Sequence, residues 1–588
     1  MPVSRRDFLA VGALLGVGAP LGFVPEACAA PTTSAAATSA AGAPMPATDA
    51  DAITVEAIAE AEKLLGLAFT SEEREQMLGE LQQAHGMLTA LREVTVPNEV
   101  PPAVLFDPTA AGASIPEGES EPLTFGVFDP ALGPGGDEGL AFASVSQLGA
   151  WLRDGTVTSE RLTQLALDRL KRLDPELLAV VTLTEERALA QARKADEELA
   201  AGTDRGPLHG IPYGAKDLLA VRGYPTTWGA MPYQDQIIDA DAAVIEKLDA
   251  AGAVLVAKLS LGALAMGDVW YGGTTKSPWN TDLGSSGSSA GPGAAVAAGA
   301  VPFAIGSETY GSIVSPSTRN GITGFRPTFG TVSRHGAMAL SWSMDKLGPM
   351  TRSALDAALV YQAIRGADPR DPTTRDVPFA MPGDVTGLRV GVVANLFEES
   401  DNYTGEGRAL DLATLDAVRG LGVTLEPVAW PSDLPIQPLL MVLMAEAAAA
   451  FDDLTRSGQD DLLVAQHANA WPNFFRAARF LPAVEYVQAN RVRTMLMQQV
   501  AAALEGFDVV IAPAFNGPTL LLTNLTGHPA VCVPNGFLRL DDASDDDPRR
   551  RPHSITFIGG LYRDGAALSL AAAYQQATSF HTQRPPVR

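Results

Sequence analysis

The stretch from Gly284 to Pro316 reads GSSGSSAGPGAAVAAGAVPFAIGSETYGSIVSP and determines how this chain is interpreted. It contains more glycine and small residues than a packed core needs. It also places Ser288 and Ser312 where a hydroxyl lies beside exposed N–H groups. Seventy-two residues before Ser288, the segment GPLHGIPYGAKD ends at Lys216 and Asp217. Serine hydroxyls are weak nucleophiles, and a nearby base is what activates them.

The composition indicates a globular, acidic protein. The chain has 588 residues, of which 46% are hydrophobic and 19% charged, and its formal net charge is −26. A chain of this length forms one large domain or two ordinary ones. Nucleic acids are bound through positive charge that neutralises their phosphates, and a chain this acidic has no such excess, so no nucleic-acid partner is predicted.

The N-terminus has the pattern of an export signal. Arg5 and Arg6 precede an apolar run from Leu9 to Val24, and Ala27-Cys28-Ala29 follows with the small-x-small pattern of a cleavage site. Paired arginines are typical of a twin-arginine signal, so residues 1–29 are predicted to be removed on export to the periplasm or medium. No stable membrane insertion is expected after cleavage, and a lipid anchor on Cys28 is the alternative.

Residues 30–50 are rich in Ala, Thr, Ser and Pro and predict a flexible linker. Residues 51–140 predict a helical arm followed by an extended segment that packs on the main domain. Its first helix has apolar residues at helical spacing from Val55 to Leu65, with Gly66 as a stop. Its second helix opens with a capping box formed by Thr70 and Glu73.

From Val145 onward, helical and strand patterns alternate. Three helices are predicted. The first begins near Val157 and runs through Leu170, the second follows Thr184 as its N-cap and runs to about Ala200, and the third spans Ala242 to Ala251. The buried strand patterns are Leu178–Leu183, Ala253–Ala257, Leu388–Val393 and Asp508–Ala512. Such alternation predicts an α/β fold with a central, largely buried sheet. The charged run 541–551 predicts a solvated hairpin tip.

Neither cysteine chemistry nor a metal site is predicted. After cleavage, Cys532 is the single remaining cysteine, and its apolar neighbours indicate a buried, inert thiol. The sequence contains no cluster of Cys and His at metal-ligand spacing. We therefore expect neither a metal nor a cofactor.

Lys216 is the candidate base. Its neighbours Leu208, Ile211 and Pro212 are apolar, as are the residues after Asp217, and burial among them lowers the pKa of an amine. A salt bridge to Asp217 would instead keep the lysine charged. Adjacent residues of an extended segment point to opposite faces, and this geometry argues against that pairing.

The segments at 206–217 and 284–316 resemble those of the amidase signature family of serine hydrolases. Four further segments strengthen the resemblance: KSPWN at 276–280, GFRPT at 324–328, GPMTRS at 348–353 and NLTGHPAVCVP at 524–534. The resemblance extends over roughly 141–578, and we predict a single amidase signature domain at 141–582. The resemblance implies a mixed β-sheet covered by helices.

The resemblance also implies a catalytic triad of two serines and a lysine. The family's bridging serine falls on Ser288, after a cis peptide bond, and its nucleophile falls on Ser312. Lys216 is then the base that acts through Ser288. The implied oxyanion hole is formed by the backbone N–H groups of the four residues that end at the nucleophile, Thr309, Tyr310, Gly311 and Ser312.

The sequence departs from the family pattern at informative positions. Tyr310 replaces a glycine, so a bulky ring stands beside the oxyanion loop. Val314 and Ser315 occupy the positions where many relatives carry an arginine, which weakens the case for a small dicarboxylic half-amide as substrate. Trp270, Tyr271 and Trp342 are candidates to line an acyl pocket, although aromatic residues more often belong to the core.

These features predict an exported amidase that hydrolyses linear or peptide amides through an acyl-enzyme. Small-molecule or peptide amides are the expected partners, and the enzyme is expected to be a monomer or homodimer. One alternative is the glutaminase subunit of a tRNA-dependent amidotransferase, although export argues against a role in protein synthesis. The other is an inactive binding relative, but such a protein is expected to have lost Lys216, Ser288 or Ser312.

Overall fold

The computed structural model describes residues 53–92, 94, 96–98, 100–112, 114–123, 133–400, 403–540, 544 and 546–588. The predicted signal peptide at 1–29 lies outside the described residues, as does the predicted linker at 30–50. None of the described helices is both long and apolar enough to cross a bilayer.

The described chain is organised around one mixed sheet of eleven strands. Two small two-stranded ribbons, β4–β5 and β6–β7, lie beside it. The strands are β1 Val180–Leu183, β2 Pro212–Lys216, β3 Val254–Leu259, β4 Val269–Trp270, β5 Gly273–Thr274, β6 Lys276–Ser277, β7 Asn280–Gly284, β8 Phe303–Glu308, β9 Thr323–Arg326, β10 Lys346–Thr351, β11 Val390–Val393, β12 Leu425–Val428, β13 Val509–Pro513, β14 Ala530–Leu538 and β15 Arg551–Gly559.

The order of strands divides the sheet into two halves that follow the chain. One half runs β1-β3-β2-β8-β10-β9 and the other runs β14-β15-β13-β11-β12. The seam is the short antiparallel pairing of β9 with β14, where Arg326 faces Ala530 and Gly324 faces Cys532. Strand β2 pairs in parallel with both β3 and β8, whereas β10 is antiparallel to β8 and β9.

Helices cover the sheet, which confirms the predicted α/β class with a mixed sheet. The α-helices of the described chain are α1 Val55–Leu65, α2 Ser71–Arg92, α3 Gly136–Phe142, α4 Val145–Arg153, α5 Ser159–Leu177, α6 Glu185–Ala200, α7 Ala243–Ala250, α8 Ala290–Ala297, α9 Val314–Asn320, α10 Ala354–Ile364, α11 Gly405–Gly420, α12 Leu440–Ala450, α13 Asp452–Arg456, α14 Trp471–Ala478, α15 Ala483–Ala503, α16 Thr519–Thr526 and α17 Asp564–Thr578.

The small residues that distinguish the 284–316 stretch are needed because α8 is enclosed on every side. All eight of its residues are buried. A Cβ added at Gly291 would lie 2.5 Å from the backbone nitrogen of Ser260 and 2.6 Å from the carbonyl oxygen of Ala179. Close packing of this kind leaves no room for a side chain.

Three of the predicted helices and four of the predicted strands occur where the sequence pattern placed them, with two differences in detail. Helix α5 continues past Leu170 to Leu177. Thr184 precedes α6, but its hydroxyl does not cap the helix, because it donates to the carbonyl of Leu255 on β3 at 2.6 Å. A neighbouring strand therefore competes successfully for this hydroxyl.

The N-terminal arm has the predicted helices and capping box. The Thr70 N–H donates to the Glu73 carboxylate at 2.7 Å, and the Glu73 N–H donates to the Thr70 hydroxyl. An ion pair between Arg74 and Glu62 joins the two helices at 2.8 Å. At the end of α2, Leu91 is 68% exposed and lines, with Leu88, a cavity that residues of α12 and α15 also line.

The extended segment that follows the arm does contact the main domain. The Asn98 side chain donates to the carbonyl of Ala339 at 3.0 Å and accepts from the Ala339 N–H at 2.6 Å. The Arg375 guanidinium pairs with Asp107 at 2.6 Å. These contacts fasten the segment to the loops between β9 and β11.

The region at 539–550 connects β14 to β15, so a hairpin stands where the charged run predicts one. Residues 541–543 and 545 lie outside the described residues. Cys532 on β14 is buried and unpaired, and burial raises the pKa of its thiol to about 11. This thiol is therefore protonated at neutral pH, as predicted for an inert cysteine.

Candidate active site

The sheet brings the candidate lysine and the loop of Ser312 to the same edge. Strands β2 and β8 are parallel neighbours, so both end on one side of the sheet. Lys216 is the last residue of β2, and Ser312 follows β8 by four residues. Ser288 lies between β7 and α8 and is 1% exposed.

The Lys216 amine is buried and surrounded by serine hydroxyls. Its Nζ lies 2.8 Å from Ser288 Oγ, 3.0 Å from Ser289 Oγ and 2.8 Å from Ser307 Oγ. Burial lowers the pKa of Lys216 well below its usual range, and this effect outweighs the opposing charges of Asp345 and Glu308. Burial thus favours the neutral form of the Lys216 amine, and a neutral amine can accept a proton from one of these hydroxyls.

Asp217 does not pair with Lys216. Its carboxylate forms an ion pair with Lys258 on β3 at 2.6 Å, and both side chains are fully buried. The same carboxylate accepts hydrogen bonds from the N–H and hydroxyl of Thr227. A second buried lysine therefore takes the charge that would otherwise keep Lys216 protonated.

The loop that carries Ser288 is fixed by backbone contacts. The Gly287–Ser288 peptide bond is cis, as the resemblance implies. A Cβ at Gly287 would lie 1.7 Å from the carbonyl oxygen of Gly267, so only glycine fits there. The Ser289 N–H donates to the Ser312 carbonyl at 3.1 Å, which ties this loop to the loop of Ser312.

Ser312 lies at the floor of a cavity of about 280 Å³, which Thr309, Tyr310 and Gly287 also line. Gly311 has a φ of 87°, a left-handed conformation that suits glycine. Within the described chain, the N–H groups of Tyr310, Gly311 and Ser312 donate to no protein acceptor. A turn with unpaired N–H groups beside a hydroxyl has the geometry of an oxyanion hole.

The Ser312 hydroxyl makes no hydrogen bond to Ser288, or to any other side chain that the structure describes. The structure therefore joins Lys216 to Ser288 directly and joins Ser288 to Ser312 only through the backbone of the two loops. Contacts of this kind in unliganded enzymes often tighten only when substrate binds.

Glu308 is a site residue whose role the sequence did not reveal. Its carboxylate accepts from the N–H groups of Ile313 at 2.8 Å and Val314 at 2.9 Å, on the far side of the Ser312 turn. It also pairs with Arg326 at 2.6 Å and accepts from Asn524 at 2.8 Å. The sequence did contain a signal for it. The resemblance places the D-x-G-G-S motif of the amidase signature family on residues 308–312, so Glu308 takes the position of the acidic first residue.

The electrostatics of Glu308 keep it ionised. Burial by itself raises the pKa of this carboxyl, but the charge of Arg326 and the hydrogen bonds from Val314 and Asn524 prevail and lower the pKa to about 2. A permanently charged acceptor therefore spans the turn from β8 to α9 and holds Ser312 between its two ends.

The Tyr310 ring both lines the cavity and packs into the protein. It contacts a small buried cluster that consists of Val314, Ala514, Leu520 and Cys532. Burial raises the pKa of its phenol to about 12, so the group is neutral under ordinary conditions. Tyr310 therefore shapes the cavity as a fixed wall.

The aromatic candidates for an acyl pocket, Trp270, Tyr271 and Trp342, do not line this cavity. Trp270 packs edge-on against Tyr271, at 4.9 Å between ring centroids, and Trp342 lines neighbouring cavities. The apolar wall instead includes Leu443 of α12 and Trp471 of α14. The Trp471 indole donates to the Leu264 carbonyl at 2.9 Å, which fixes its orientation. Only the folded chain brings these late helices to the site.

No group of three or more His, Cys, Asp or Glu side chains in the described residues is arranged to hold a metal ion. The charged groups nearest Lys216 are carboxylates that already have partners. Asp345, for example, accepts from the Thr309 hydroxyl at 2.5 Å.

Comparison with known proteins identifies the family. The family model described as Amidase matches residues 161–541. The chain therefore belongs to the amidase signature family and is an enzyme that acts on carbon–nitrogen bonds. The matched region contains Lys216, Ser288 and Ser312.

Relatives by sequence include one of the subunits of glutamyl-tRNA(Gln) amidotransferase. The protein of that name from Methylococcus capsulatus is 34% identical over 490 residues, which cover 75% of this chain and 98% of the relative. The corresponding protein from Lysinibacillus sphaericus is 32% identical over 490 residues, with the same coverage.

Similar solved structures include the native peptide amidase of Stenotrophomonas maltophilia. Its TM-score is 0.66 at 29% identity, and the alignment covers 76% of this chain and 98% of that one. A bacterial aryl acylamidase of the same family has a TM-score of 0.65 at 21% identity, a likeness that bears on the fold alone.

Replacing Glu308 with glutamine should destabilise the protein by about 3–5 kcal/mol at pH 7, because it leaves Arg326 buried without its charge partner. Since the pKa of Glu308 is lowered in the folded state, its contribution is complete above about pH 4.5 and disappears as the pH falls towards about 2. Urea unfolding at several pH values should show the difference from wild type shrinking across that window.

Glu308→Asp retains the charge and should recover much of the lost stability. Glu160→Gln removes an exposed pair with Arg193 and should cost no more than about 1 kcal/mol. An unchanged free energy of unfolding in Glu308→Gln at pH 7 would contradict the role given to this ion pair.

Proposed function

We propose that this protein is an exported amidase that hydrolyses carboxylic amides through Lys216, Ser288 and Ser312. The observation that carries the proposal is the buried Lys216 amine, held 2.8 Å from Ser288 beside the cavity that contains Ser312. An amine in that environment is a competent base, and Ser312 is the hydroxyl that meets an incoming substrate.

In the acylation step, neutral Lys216 takes a proton from Ser288, and Ser288 takes the proton of Ser312. The Ser312 oxygen attacks the amide carbon, and the charge that develops on the carbonyl oxygen is stabilised by the unpaired N–H groups of the 310–312 turn. The proton returns through Ser288 to the leaving nitrogen, the carbon–nitrogen bond breaks, and an ester of Ser312 remains.

Deacylation uses the same relay, with water in the place of Ser312. As the water oxygen attacks the ester carbon, its proton passes to Ser288, and the proton of Ser288 passes to Lys216. Collapse of the second tetrahedral intermediate releases the carboxylic acid and returns the proton to Ser312. No atom is gained or lost by the enzyme over the cycle, so one lysine serves as both base and acid.

A second candidate function is the glutaminase subunit of a tRNA-dependent amidotransferase, which is favoured by the 34% identity to the Methylococcus capsulatus amidotransferase protein. Two sequence features weigh against it. The net charge of −26 suits no nucleic-acid surface, and Arg5-Arg6 begins a segment typical of exported proteins. Ammonia release from glutamine in the absence of other amidase activity would favour this alternative.

The nucleophile is tested by labelling with a fluorophosphonate, followed by peptide mapping. The label should lie on Ser312, and Ser312→Ala should lower kcat/KM at least about 1,000-fold. Lys216→Ala should lower it by about 100- to 10,000-fold, because Ser288 then lacks its proton acceptor.

Ser317→Ala is the matched control for the labelling experiment. Ser317 is also buried on the Ser312 side of the sheet, in α9, and its hydroxyl has no hydrogen-bond partner among the described residues. The variant should be labelled like wild type. A label on Ser288 or Ser289 in place of Ser312 would show that the nucleophile is misassigned.

The rate should rise with pH as Lys216 loses its proton. Because burial lowers the pKa of this lysine, the plateau should be reached well below pH 10.5, the usual lysine value. The profile of kcat/KM against pH measures this, with Lys216→Arg as a control that stays protonated and inactive. A rate that falls as the pH rises through neutrality would contradict the assignment.

Export is tested by replacing Arg5 and Arg6 with lysine together, since twin-arginine signals are recognised through the pair. The precursor should then accumulate in the cytoplasm, whereas the wild-type protein should be recovered outside it with an N-terminus near Ala30. Unchanged export of the double variant would contradict the twin-arginine interpretation, and a lipid on Cys28 would support the lipoprotein alternative.

A further inference from the structure

Two charged side chains line the cavity at Ser312, and no ion pair joins them. They are Asp268, which follows a short turn at Ala263–Ala265, and Arg319 of α9. The other residues that line the cavity are uncharged. Burial has the larger effect on both groups, raising the pKa of Asp268 and lowering that of Arg319, and the two opposite charges also attract each other across the site. A charged side chain in a concave site is one of the groups that orient a ligand.

Asp268 already has a partner in the protein. One of its carboxylate oxygens accepts the N–H of Ser286 at 2.8 Å, and a Cβ added at Gly284 would lie 2.1 Å from that same oxygen. The carboxylate therefore lies against the backbone of the loop that carries Ser288. Asp268 therefore holds the loop that contains Ser286 and Ser288 in place.

Arg319 lacks such a partner. Within the described chain, its guanidinium makes one long contact, 3.5 Å to the Gly284 carbonyl, and no carboxylate lies within ion-pair distance. Burial lowers the pKa of Arg319, but a guanidinium remains protonated in proteins. Most of its five donors are thus available in a cavity whose acidic protein surroundings would otherwise repel anions.

The position of Arg319 on α9 explains how it reaches the cavity. Ser315, one of the two positions at which the family resemblance implies an arginine, lies four residues earlier and therefore on the same face of the helix. The Ser315 hydroxyl is 2.7 Å from the hydroxyl of Ser286, so that side chain is occupied within the loop. One turn further along, the longer arginine side chain lines the cavity.

The lining of the cavity also includes an apolar set, which consists of Leu340, Leu443 and Trp471. A substrate that fills the cavity beside Ser312 therefore meets both apolar side chains and the guanidinium of Arg319.

We propose that Arg319 is a specificity-determining residue that binds a carboxylate of the substrate, so that the preferred substrates are amides that carry both an apolar group and a carboxylate. The inference rests on the proposed amide hydrolysis at Ser312 and names its substrate class. A guanidinium binds a carboxylate through two parallel hydrogen bonds, which fixes orientation as well as charge.

The test uses four amides that share a hexyl or hexanoyl group. N-hexanoylglycine carries the carboxylate on the amine side, and N-hexylsuccinamic acid carries it on the acyl side. N-isobutylhexanamide is the neutral match of the glycine compound, and N-(2-aminoethyl)hexanamide is a cationic comparison. Release of acid and amine, followed by mass spectrometry, gives kcat/KM for each compound, and the two anionic compounds distinguish the two orientations.

Wild type should hydrolyse one of the anionic amides about 10- to 100-fold more efficiently than the neutral one, mainly through KM. Arg319→Gln should abolish that ratio, and Arg319→Lys should restore part of it, because an ammonium supplies charge without the bidentate geometry. The ratio is measured on one preparation and is therefore independent of how much enzyme is folded.

Arg549→Gln is the matched control. Arg549 is a half-exposed arginine that pairs with Asp282 and Asp547 outside the cavity, so its loss should leave the ratio as in wild type. Equal or better hydrolysis of the neutral or cationic amide by wild type would overturn the proposal, as would a ratio that persists in Arg319→Gln. An enzyme that labels at Ser312 but hydrolyses none of the four amides overturns this inference alone, whereas failure to label overturns the proposed function.

Discussion

The buried ion pair between Glu308 and Arg326 holds the site together. Glu308 ends β8 and Arg326 ends β9, so the pair spans the centre of the sheet at the edge where the loops meet. The same carboxylate accepts two N–H groups from the start of the segment after Ser312 and an amide N–H of Asn524. The N–H groups of residues 310–312 have no acceptor within the described chain, so they do not hold the turn in shape, and the charge of Glu308 does so instead.

A second buried pair explains the state of the lysine. Asp217 follows Lys216 in sequence, yet it neutralises Lys258 on the next strand. Two lysines thus lie near one another with different environments, one paired with a carboxylate and one surrounded by hydroxyls. Burial lowers the pKa of Lys216, and because Asp217 is paired with Lys258 it does not form an ion pair that would restore the charge of Lys216.

The sequence predicted those parts of the molecule that rest on local pattern or on matched motifs. Buried strands such as Ala253–Ala257 appear as continuous apolar runs, and Thr70 and Glu73 form their capping box within four residues. The direct contact of Lys216 with Ser288 follows a motif match and not a pattern of spacing.

What the sequence did not predict depends on contacts between distant residues. Thr184 occupies a capping position, but its hydroxyl binds the carbonyl of Leu255, 71 residues away. The cavity wall contains Trp471, which was not among the three aromatic candidates considered from the sequence. Arg319 escaped notice because it stands one helical turn beyond the position at which an arginine was sought. Each case is settled by packing that a single sequence does not encode locally.

The seam between the two halves of the sheet separates two tasks along the chain. Every residue of the proposed proton relay lies in the part of the chain that forms β1 to β10, whereas Leu443 and Trp471, which line the cavity, belong to helices inserted between β12 and β13 of the later half. Substitutions in that later stretch can therefore remodel what is bound while the reacting groups stay in place. The architecture separates the reacting groups from part of the surface that selects the substrate, so new selectivities can arise without rebuilding the chemistry.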